Sequence, residues 1–358
     1  MKDIHIQEAF NQKDIRWIDV RSPGEYSTAT IPGAVNIPLF TDEERAQVGT
    51  LYKKQGREQA IHLGLELVSP KIPGLIRQIQ TATEGKTPLF FCWRGGMRSQ
   101  TMAIFMDLIQ QPPFRLIGGY RSYREWIKTR LKDYPLSAKM IVLHGLTGVG
   151  KTAVLHQLEA LGAPVLDLEG MAGHRGSAFG SLGEVTPRNQ RMFDSFLYLK
   201  LESLKDEPFI FMEAESKRIG RVHMPDFLIA AKEQGIPVLL EASLTSRTRH
   251  LLETYLDTET DPERFHCEVK GALQRIERKL RPAIRKELND AVHSRNYTFM
   301  VHTLLYHYYD PRYRHTQQFY EEQAYRRISS EQINQAAREC FQLWTELKNQ
   351  EKPAQALK

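Results

Sequence analysis

The sequence predicts an α/β protein with two successive domains and a helical C-terminal extension. Short apolar strands alternate with stretches of helical apolar spacing along most of the chain. A glycine-rich loop at 145–152 lies between a strand and a helix, as phosphate loops do. From about Asp261 onward the spacing is helical, charges are dense, and no convincing strand is visible. We therefore expect one domain at 1–133, a second at 138–260, and an extension at 261–358 packed on the second.

The first domain shows the alternation expected of a largely parallel sheet. Residues 15–20 form a short candidate strand followed by turn residues, and 31–38 form a turn into a second extended segment. The segment 89–91 is apolar and ends abruptly at a cysteine, and 114–117 is another candidate strand, closed by a glycine pair. Between them, 99–109 has helical apolar spacing. These segments predict strands on either side of a helix.

The second domain repeats this pattern. Candidate strands lie at 140–144, 165–168, 209–213 and 237–240. The helix after the glycine-rich loop spans 153–161 and is stopped by Gly162.

Composition limits the class of protein. The 358 residues are 41% hydrophobic and 26% charged, which excludes wholesale disorder. Apolar runs are far shorter than the roughly 20 residues of a membrane helix, and the N-terminus lacks the apolar stretch of a signal peptide. Three cysteines without CxxC spacing favour a reducing compartment. We expect a cytoplasmic protein that has no membrane partner.

Cys92 stands at the end of an apolar strand, before a seven-residue loop and a helix. Loop N–H groups, the helix N-terminus and nearby arginines favour a thiolate, which is the nucleophilic form. The alternative, a buried inert cysteine, fits poorly with two arginines and two glycines in the next six residues. The sequence predicts a catalytic cysteine with an anion-binding loop made of Trp93, Arg94, Gly95, Gly96, Met97, Arg98 and Ser99.

The segment 145–152 matches G-x-x-x-x-G-K-[ST]. Its backbone N–H groups can cradle a diphosphate, Lys151 can neutralise the charge, and Thr152 can hold Mg²⁺. Any diphosphate or phosphate ester suits such a loop, so ATP is not specified. The predicted diphosphate-binding residues are Gly145, Thr147, Gly148, Val149, Gly150, Lys151 and Thr152.

Two further segments can line the same site. Glu213 ends a strand and Glu215 follows it, and one of them, with Glu213 favoured, should lie near the metal or a substrate proton. The loop after 165–168 carries small residues and a His-Arg pair at a carboxyl strand end, which favours substrate contact over an unconstrained surface loop. Its predicted contact residues are Asp167, His174, Arg175 and Ser177.

The C-terminal part mixes basic and aromatic residues. Arg275, Arg278 and Arg281 lie on a probable helix, which fits either a solvated face or a nucleic-acid track. Residues 297–325 hold seven of the 14 tyrosines, Tyr309 and Tyr313 among them. Aromatic rings among basic residues suit single-stranded RNA, although an amphipathic helical core fits equally well.

The first domain resembles the rhodaneses over about residues 4–130. The resemblance rests on the segments 19–26 and 31–38 and on the cysteine loop, with Thr30 where the family commonly has histidine. In rhodaneses the loop cysteine carries a chalcogen as a persulfide. The spacing from Cys92 to Arg98 is also that of C-x5-R cysteine phosphatases, which usually have histidine where Phe91 stands here.

The order of a rhodanese-like domain and a phosphate-loop domain resembles the tRNA 2-selenouridine synthase family. Supporting segments are His174–Gly180, Glu213–Gly220 and Tyr309–Tyr313, beside the two loops. The resemblance implies that sulfur of the wobble 2-thiouridine in the tRNA anticodon is replaced by selenium from selenophosphate. It also implies S-geranylation of that base from geranyl diphosphate, which makes the sulfur a leaving group.

The resemblance implies tRNA as partner, a selenophosphate-supplying enzyme as a second partner, and no tightly bound cofactor beyond Mg²⁺. Two other functions stay open. One is a cysteine phosphatase or sulfurtransferase with a regulatory phosphate-loop domain. The other is a phosphate-loop hydrolase that uses an inactive rhodanese module to bind partners.

Overall fold

The structure is a computed structural model, and it describes residues 1–175, 179, 182, 186–256, 261–312 and 322–355. The chain forms two compact units. Unit 1 comprises Met1–Asp133 with Asp194–Tyr198, and unit 2 comprises Tyr134–Phe193 with Leu199–Lys358. Both contain a parallel sheet flanked by helices, which confirms the predicted α/β class. In the described chain no helix is both long and apolar enough to cross a bilayer.

Unit 1 is built on a parallel sheet with strand order β1-β5-β4-β2-β3. The strands are β1 Lys2–Ile4, β2 Ile15–Asp19, β3 Val35–Asn36, β4 Thr87–Phe91 and β5 Phe114–Leu116. Because β4 lies in the middle of the sheet and is apolar after Thr87, residues 88–91 are buried. Its carboxyl end, which carries Cys92, is therefore held by neighbouring strands on both sides.

The helices of unit 1 cover the sheet and end at recognisable signals. Helix α2 begins with Pro23 at its first position and is fixed by a capping box between Ser22 and Glu25. Ile18, Phe90 and Met102 belong to the core that the sheet shares with the helices. The helices are α1 Ile6–Asn11, α2 Pro23–Thr28, α3 Asp42–Gln55, α4 Arg57–Val68, α5 Ile72–Thr83, α6 Met97–Leu108 and α7 Gly119–Lys132, with a 3₁₀ turn at Ser69–Lys71.

Unit 2 contains a second parallel sheet, with strand order β12-β11-β6-β8-β7. A short antiparallel pair, β9 with β10, follows β8. The prediction that no strand follows Asp261 is wrong, because β12 pairs with β11 and forms the edge of this sheet. The strands are β6 Lys139–His144, β7 Val165–Leu166, β8 Phe209–Glu213, β9 Arg218–Ile219, β10 Val222–His223, β11 Ile236–Glu241 and β12 Arg326–Ser329.

The helices of unit 2 serve two cores. One core joins the sheet to the helix after the phosphate loop and to the C-terminal helix, and Val154, Phe211 and Leu343 belong to it. The other lies among helices α12 to α15 and includes Val269 and Leu304. The helices are α8 Lys151–Ala160, α9 Leu168–Ala172, α10 Gln190–Ser203, α11 Asp226–Glu233, α12 Leu244–Leu256, α13 Pro262–Ile276, α14 Pro282–His293, α15 Tyr297–Leu304 and α16 Ile333–Gln355, with a 3₁₀ turn at Glu277–Lys279 and a π-helical turn at Leu305–Tyr309.

Candidate functional site

Cys92 lies directly after β4, and α6 begins five residues later at Met97. The thiol is nearly enclosed, with 4% of the residue exposed. The backbone N–H of Gly96 donates to Sγ over 3.2 Å, and Ser99 Oγ lies 3.3 Å from Sγ. Ser99 Oγ also donates to the Gly96 carbonyl over 3.1 Å. One loop N–H and one hydroxyl thus hold the sulfur at the N-terminus of a helix, a position that suits a nucleophilic thiol.

The loop packs closely on the start of α7, which explains two glycines. A side chain at Gly95 would lie 2.6 Å from the carbonyl of Leu116, and one at Gly119 would collide with the carbonyl of Cys92. Gly95 and Gly119 both adopt positive φ, at 65° and 58°. The sequence indicated a role for Gly95 but treated Gly119 only as the end of a strand.

A buried ion pair lies at the carboxyl end of β2, beside the end of β4. Arg21 donates to both carboxylate oxygens of Asp19, at distances of 2.5 to 3.1 Å, and to the Ala29 carbonyl over 2.7 Å. The guanidinium lies 4.3 Å from the ring centre of Tyr120. Thr30, which replaces the histidine common in rhodaneses, donates to Asp19 over 2.8 Å. The departure from the family pattern therefore keeps a donor on the same carboxylate.

The arginines of the loop differ in their surroundings. Arg94 is exposed, whereas Arg98 forms an ion pair with Glu25 at 2.5 Å. Glu25 therefore balances the charge of Arg98, and the positive charge that Arg94 and Arg98 are expected to add near the thiol stays a prediction. The guanidinium of Arg115, which sequence reasoning did not consider, donates to the Gly95 carbonyl over 3.4 Å and pairs with Asp3.

The phosphate loop of unit 2 has the backbone that its sequence predicts. Gly145, Gly148 and Gly150 adopt φ values of 144°, 81° and 90°. A side chain at Gly145 would lie 2.6 Å from the Leu240 carbonyl, and one at Gly150 would collide with Ile333. Lys151 Nζ donates to the Gly145 carbonyl over 3.0 Å, so the ammonium spans the loop. This geometry suits a cradle for a phosphate group.

Residues from far along the chain hold the carbonyl groups of this loop. Arg247 donates to the Thr147 carbonyl over 2.9 Å, and Ser330 donates to the Val149 carbonyl over 2.8 Å. His250 Nδ1 lies 3.3 Å from the Gly148 carbonyl oxygen. Because the carbonyls are fixed on one side of the loop, its N–H groups are oriented in advance. The sequence offered no signal for these contacts.

Asp310 completes this support, and its removal is expected to weaken the loop. It accepts two hydrogen bonds from Arg247, over 3.0 and 2.6 Å, and Arg247 is almost fully buried. We expect Asp310→Asn to lower the free energy of unfolding by about 1.5–3 kcal/mol, because a buried guanidinium loses a charged acceptor. Urea unfolding measures this change, and calorimetry should show weaker pyrophosphate binding.

The matched control is Asp226→Asn, because Asp226 pairs with Lys217 on an exposed surface. Its effect should stay within about 0.5 kcal/mol. Equal stability losses in the two variants would contradict a special role for Asp310.

Carboxylates surround the hydroxyl of Thr152. Thr152 Oγ1 donates over 3.1 Å to Glu169 and over 3.1 Å to Glu213, and the Glu169 N–H donates to Glu213 over 3.2 Å. Glu215 brings a third carboxylate, and one oxygen of each lies within 4.8 Å of the others. Burial raises the pKa of Glu169 to about 7, with a further contribution from the charge on Glu215. Burial, followed by the charges on Glu169 and Glu215, holds the pKa of Glu213 well above its usual range.

This set of oxygens fits the Mg²⁺ predicted at Thr152. A hydroxyl and carboxylates are the hard donors that Mg²⁺ prefers, together with phosphate oxygens. A cation would also offset the burial and the like charges that raise the pKa values of Glu169 and Glu213. Thr152, Glu169 and Glu213 are the residues that would hold the ion. Glu169 was missed by sequence reasoning, which singled out Asp167 two positions earlier.

The predicted substrate loop divides between two roles. Asp167 caps α9 by accepting from the Gly170 N–H over 2.8 Å, and it lies 3.1 Å from His156 Nε2. It therefore has a structural role, and the predicted substrate contact of Asp167 stays a prediction. The ring of His174 packs on Gly220, where no side chain would fit, and burial lowers its pKa. Arg175 lines the cavity beside the phosphate loop, and Ser177 lies outside the described residues.

The phosphate loop opens into a cavity of about 750 Å³, here named the phosphate cavity. His144, at the end of β6, lines it, and burial followed by the charges on Lys151 and Lys232 lowers the pKa of His144 to about 3. A neutral imidazole thus lies beside the cradle at pH 7. Other lining residues include Lys151, Thr152, Glu169, Arg175, Glu213 and Glu215.

The C-terminal candidates do not all lie where an RNA could reach them. Arg275, Arg278 and Arg281 are exposed. Tyr309 is buried in the helical core, with its ring 5.0 Å from and nearly perpendicular to that of Tyr308. A ring packed in this way does not present a free face to a base, so the expected stacking role of Tyr309 needs correction. Tyr313 lies outside the described residues.

Comparisons with known proteins match a family model to each of the two units. Residues 138–343 match the family model of the tRNA 2-selenouridine synthase AAA domain, and residues 5–126 match that of the rhodanese-like domain. The chain is 36% identical over 251 residues to a tRNA 2-selenouridine synthase of Nitrosomonas europaea, and 35% identical over 257 residues to one of Bdellovibrio bacteriovorus. Each match covers 68% of this chain.

The extent of these matches varies with the relative. The chain spans 64% and 65% of the length of those two relatives, just under two thirds. A tRNA 2-selenouridine synthase of a Sulfurovum species is 33% identical over 322 residues, which cover 83% of this chain and 87% of that protein. The model of the AAA domain alone matches more than half of the chain. The chain therefore belongs to the tRNA 2-selenouridine synthase family.

Proposed function

We propose that this protein converts the wobble 2-thiouridine of tRNA to 2-selenouridine, with selenophosphate as selenium donor and S-geranyl-2-thiouridine as intermediate. The observation that carries the proposal is the presence of two sites of different chemistry in one chain of this family. Unit 1 holds a thiol at the end of β4, and unit 2 holds a phosphate cradle with Lys151 and a carboxylate cluster.

In the first step the sulfur of 2-thiouridine attacks C1 of geranyl diphosphate. The C1–O bond breaks, diphosphate leaves, and the base gives up its N3 proton to solvent. Negative charge grows on the departing diphosphate, so oriented N–H groups and the Lys151 ammonium lower the barrier. Mg²⁺, when bound by Thr152, Glu169 and Glu213, supplies further charge neutralisation.

In the second step selenium of selenophosphate attacks C2 of the modified base. The C2–S bond breaks and geranylthiol leaves. Water then cleaves the P–Se bond and releases phosphate. We place selenophosphate at the Cys92 loop, because the Gly96 N–H and the N-terminus of α6 favour an anion there. We propose that the Cys92 side chain contacts selenophosphate and orients its selenium for this attack.

Binding of tRNA should depend on a local basic track, because the net charge of the chain is only +6. Each phosphate contact contributes about −0.7 to −0.9 to the slope of log affinity against log salt. We expect alanine at Arg275, Arg278 and Arg281 together to make this slope shallower by roughly 2. Arg338→Ala, an exposed change on α16, is the matched control and should leave the slope unchanged.

A salt titration of tRNA affinity for each variant measures these slopes. If the triple variant keeps the wild-type slope, Arg275, Arg278 and Arg281 form a solvated face. The track would then be sought around Arg94, Arg121 and Arg124 in unit 1, where 19 basic and 14 acidic residues among 1–136 account for most of the excess charge.

Mass spectrometry of nucleosides tests the proposed reaction as a whole. Thiolated tRNA is incubated with the protein and Mg²⁺, with geranyl diphosphate, selenophosphate or both. We expect S-geranyl-2-thiouridine with geranyl diphosphate alone and 2-selenouridine with both. Release of phosphate from nucleotides or phosphate esters without any change in the tRNA would favour a hydrolase instead.

A further inference from the structure

An apolar pocket opens among α12, α13 and α15 of unit 2, with a volume of about 50 Å³. Among the described residues, every residue lining this apolar pocket except Thr147 is aliphatic, aromatic or methionine. The hydroxyl of Tyr297 is engaged by His266 over 3.0 Å. The lining residues on α12 and α15 include Leu251, Leu252, Tyr255, Met300, Val301 and Leu304.

The apolar pocket adjoins the phosphate cavity. Thr147, Leu251, Tyr255 and Tyr309 line both spaces. Thr147 belongs to the phosphate loop itself, so the apolar space begins directly beside the cradle. Polar and apolar surfaces thus lie side by side within unit 2.

Two features mark the junction between these surfaces. The guanidinium of Arg175 lies 4.7 Å from the ring centre of Tyr255, and Arg175 also lines the phosphate cavity. The π-helical turn at Leu305–Tyr309 contributes both end residues to the apolar pocket. π-Helical turns are rare and often occur at functional sites.

The apolar residues on α12 border the helical core, where Leu251 and Tyr255 pack against it, but they keep open surface. Leu251, Leu252 and Tyr255 are only partly buried, and Leu256 is 39% exposed. Four neighbouring apolar side chains with open surface, beside a charged cavity, form a binding surface for an apolar group. A nucleobase fits poorly, because among the described lining residues only Thr147 and the tyrosines could donate or accept a hydrogen bond.

We infer that the apolar pocket holds the hydrocarbon tail of a prenyl diphosphate whose head lies in the phosphate loop, so that its lining residues select the tail length. This inference rests on the proposed function and assigns the tail-binding residues within that site. Tail contacts should raise affinity with each added isoprene unit until the pocket is filled, because burial of apolar surface is favourable in proportion to its area.

The test is calorimetry of the whole protein with Mg²⁺ and four ligands: pyrophosphate, dimethylallyl diphosphate, geranyl diphosphate and ADP. In the wild type we expect geranyl diphosphate to bind at least about tenfold more tightly than pyrophosphate. Leu252→Trp and Val301→Trp add bulk to the apolar pocket. Each should weaken geranyl diphosphate binding about tenfold or more and leave pyrophosphate binding within about twofold.

Leu161→Trp is the matched control, because Leu161 is an exposed leucine of unit 2 that lines neither space. It should bind all four ligands like the wild type. If both tryptophan variants lose pyrophosphate binding as well, the wild-type series of tail lengths decides the question, since it needs no variant.

The outcomes separate the inference from the proposed function. Equal wild-type affinity for pyrophosphate and geranyl diphosphate would overturn the tail site and leave the diphosphate cradle standing. The tail site would also be overturned if the tryptophan variants bind pyrophosphate and keep the wild-type ratio of geranyl diphosphate to pyrophosphate affinity. Binding of ADP more tightly than geranyl diphosphate, and weakened by the tryptophans, would assign the apolar pocket to a base. Absence of wild-type binding to every diphosphate would instead overturn the proposed function.

Discussion

Replacing Lys151 by alanine is expected to slow geranyl transfer by about 10²–10³-fold, the scale on which loss of one charge-stabilising donor acts. The ammonium of Lys151 spans the phosphate loop and is the cation that the loop itself brings to a departing diphosphate. Selenation of thiolated tRNA should fall with it, because in the proposed reaction the geranylated base is the substrate of the second step. Mass spectrometry of nucleosides from timed reactions measures both products.

Two controls make this result specific. Lys139→Ala removes an exposed lysine at the start of β6 and should leave both products at wild-type rates. tRNA that already carries S-geranyl-2-thiouridine should still be selenated by the Lys151 variant, since that step needs no diphosphate. Geranylation at the wild-type rate by Lys151→Ala would mean that the loop serves another ligand.

Replacing Cys92 by serine is expected to abolish selenation below detection while geranylation continues. The change nearly preserves side-chain volume but exchanges a thiol for a hydroxyl. A hydroxyl does not ionise near neutral pH and is a much weaker nucleophile than a thiolate. The Gly96 N–H and Ser99 Oγ would still have an acceptor at the same place, so the fold of the loop should persist. Accumulation of the geranylated nucleoside would report the block directly.

The chain supplies matched thiol controls. Cys267 is exposed, so Cys267→Ser should leave both steps unchanged. Cys340 lies in the core of unit 2, where burial raises its pKa to about 12, and it cannot substitute for a missing thiolate. Selenation by Cys92→Ser at the wild-type rate would remove Cys92 from the reaction.

Local patterns in the sequence were enough to locate both loops. A cysteine after an apolar strand and a glycine-rich loop between a strand and a helix depend on neighbours in the chain, and both lie where they were expected. Apart from 31–38, where the strand is only Val35–Asn36, each predicted strand ends within two residues of its observed bounds. Such elements are predictable because a strand buried on both faces needs an uninterrupted apolar run.

Contacts between residues far apart in the chain could not be predicted from the sequence. Strand β12 has two arginines in four residues and lies at the sheet edge, so its sequence lacks the apolar run of a central strand. Glu25 neutralises Arg98 across 73 residues, and Asp310 reaches Arg247 across 63. Contacts at these separations depend on how the chain folds back on itself, which neither spacing nor composition encodes.

The hydrogen bond from Ser330 to Val149 also bears on how the protein is synthesised. It joins residues 181 apart, whereas the strands of unit 1 are complete by Leu116. At about 5–20 residues per second, the ribosome delivers Ser330 roughly 10–40 s after the phosphate loop. Strand β11 is complete at Glu241, and until β12 follows, roughly 4–18 s later, it is an unprotected edge that can pair with other chains. A nascent or truncated chain that stops short of residue 330 should therefore be a chaperone client without diphosphate affinity, even though its glycine-rich motif is intact.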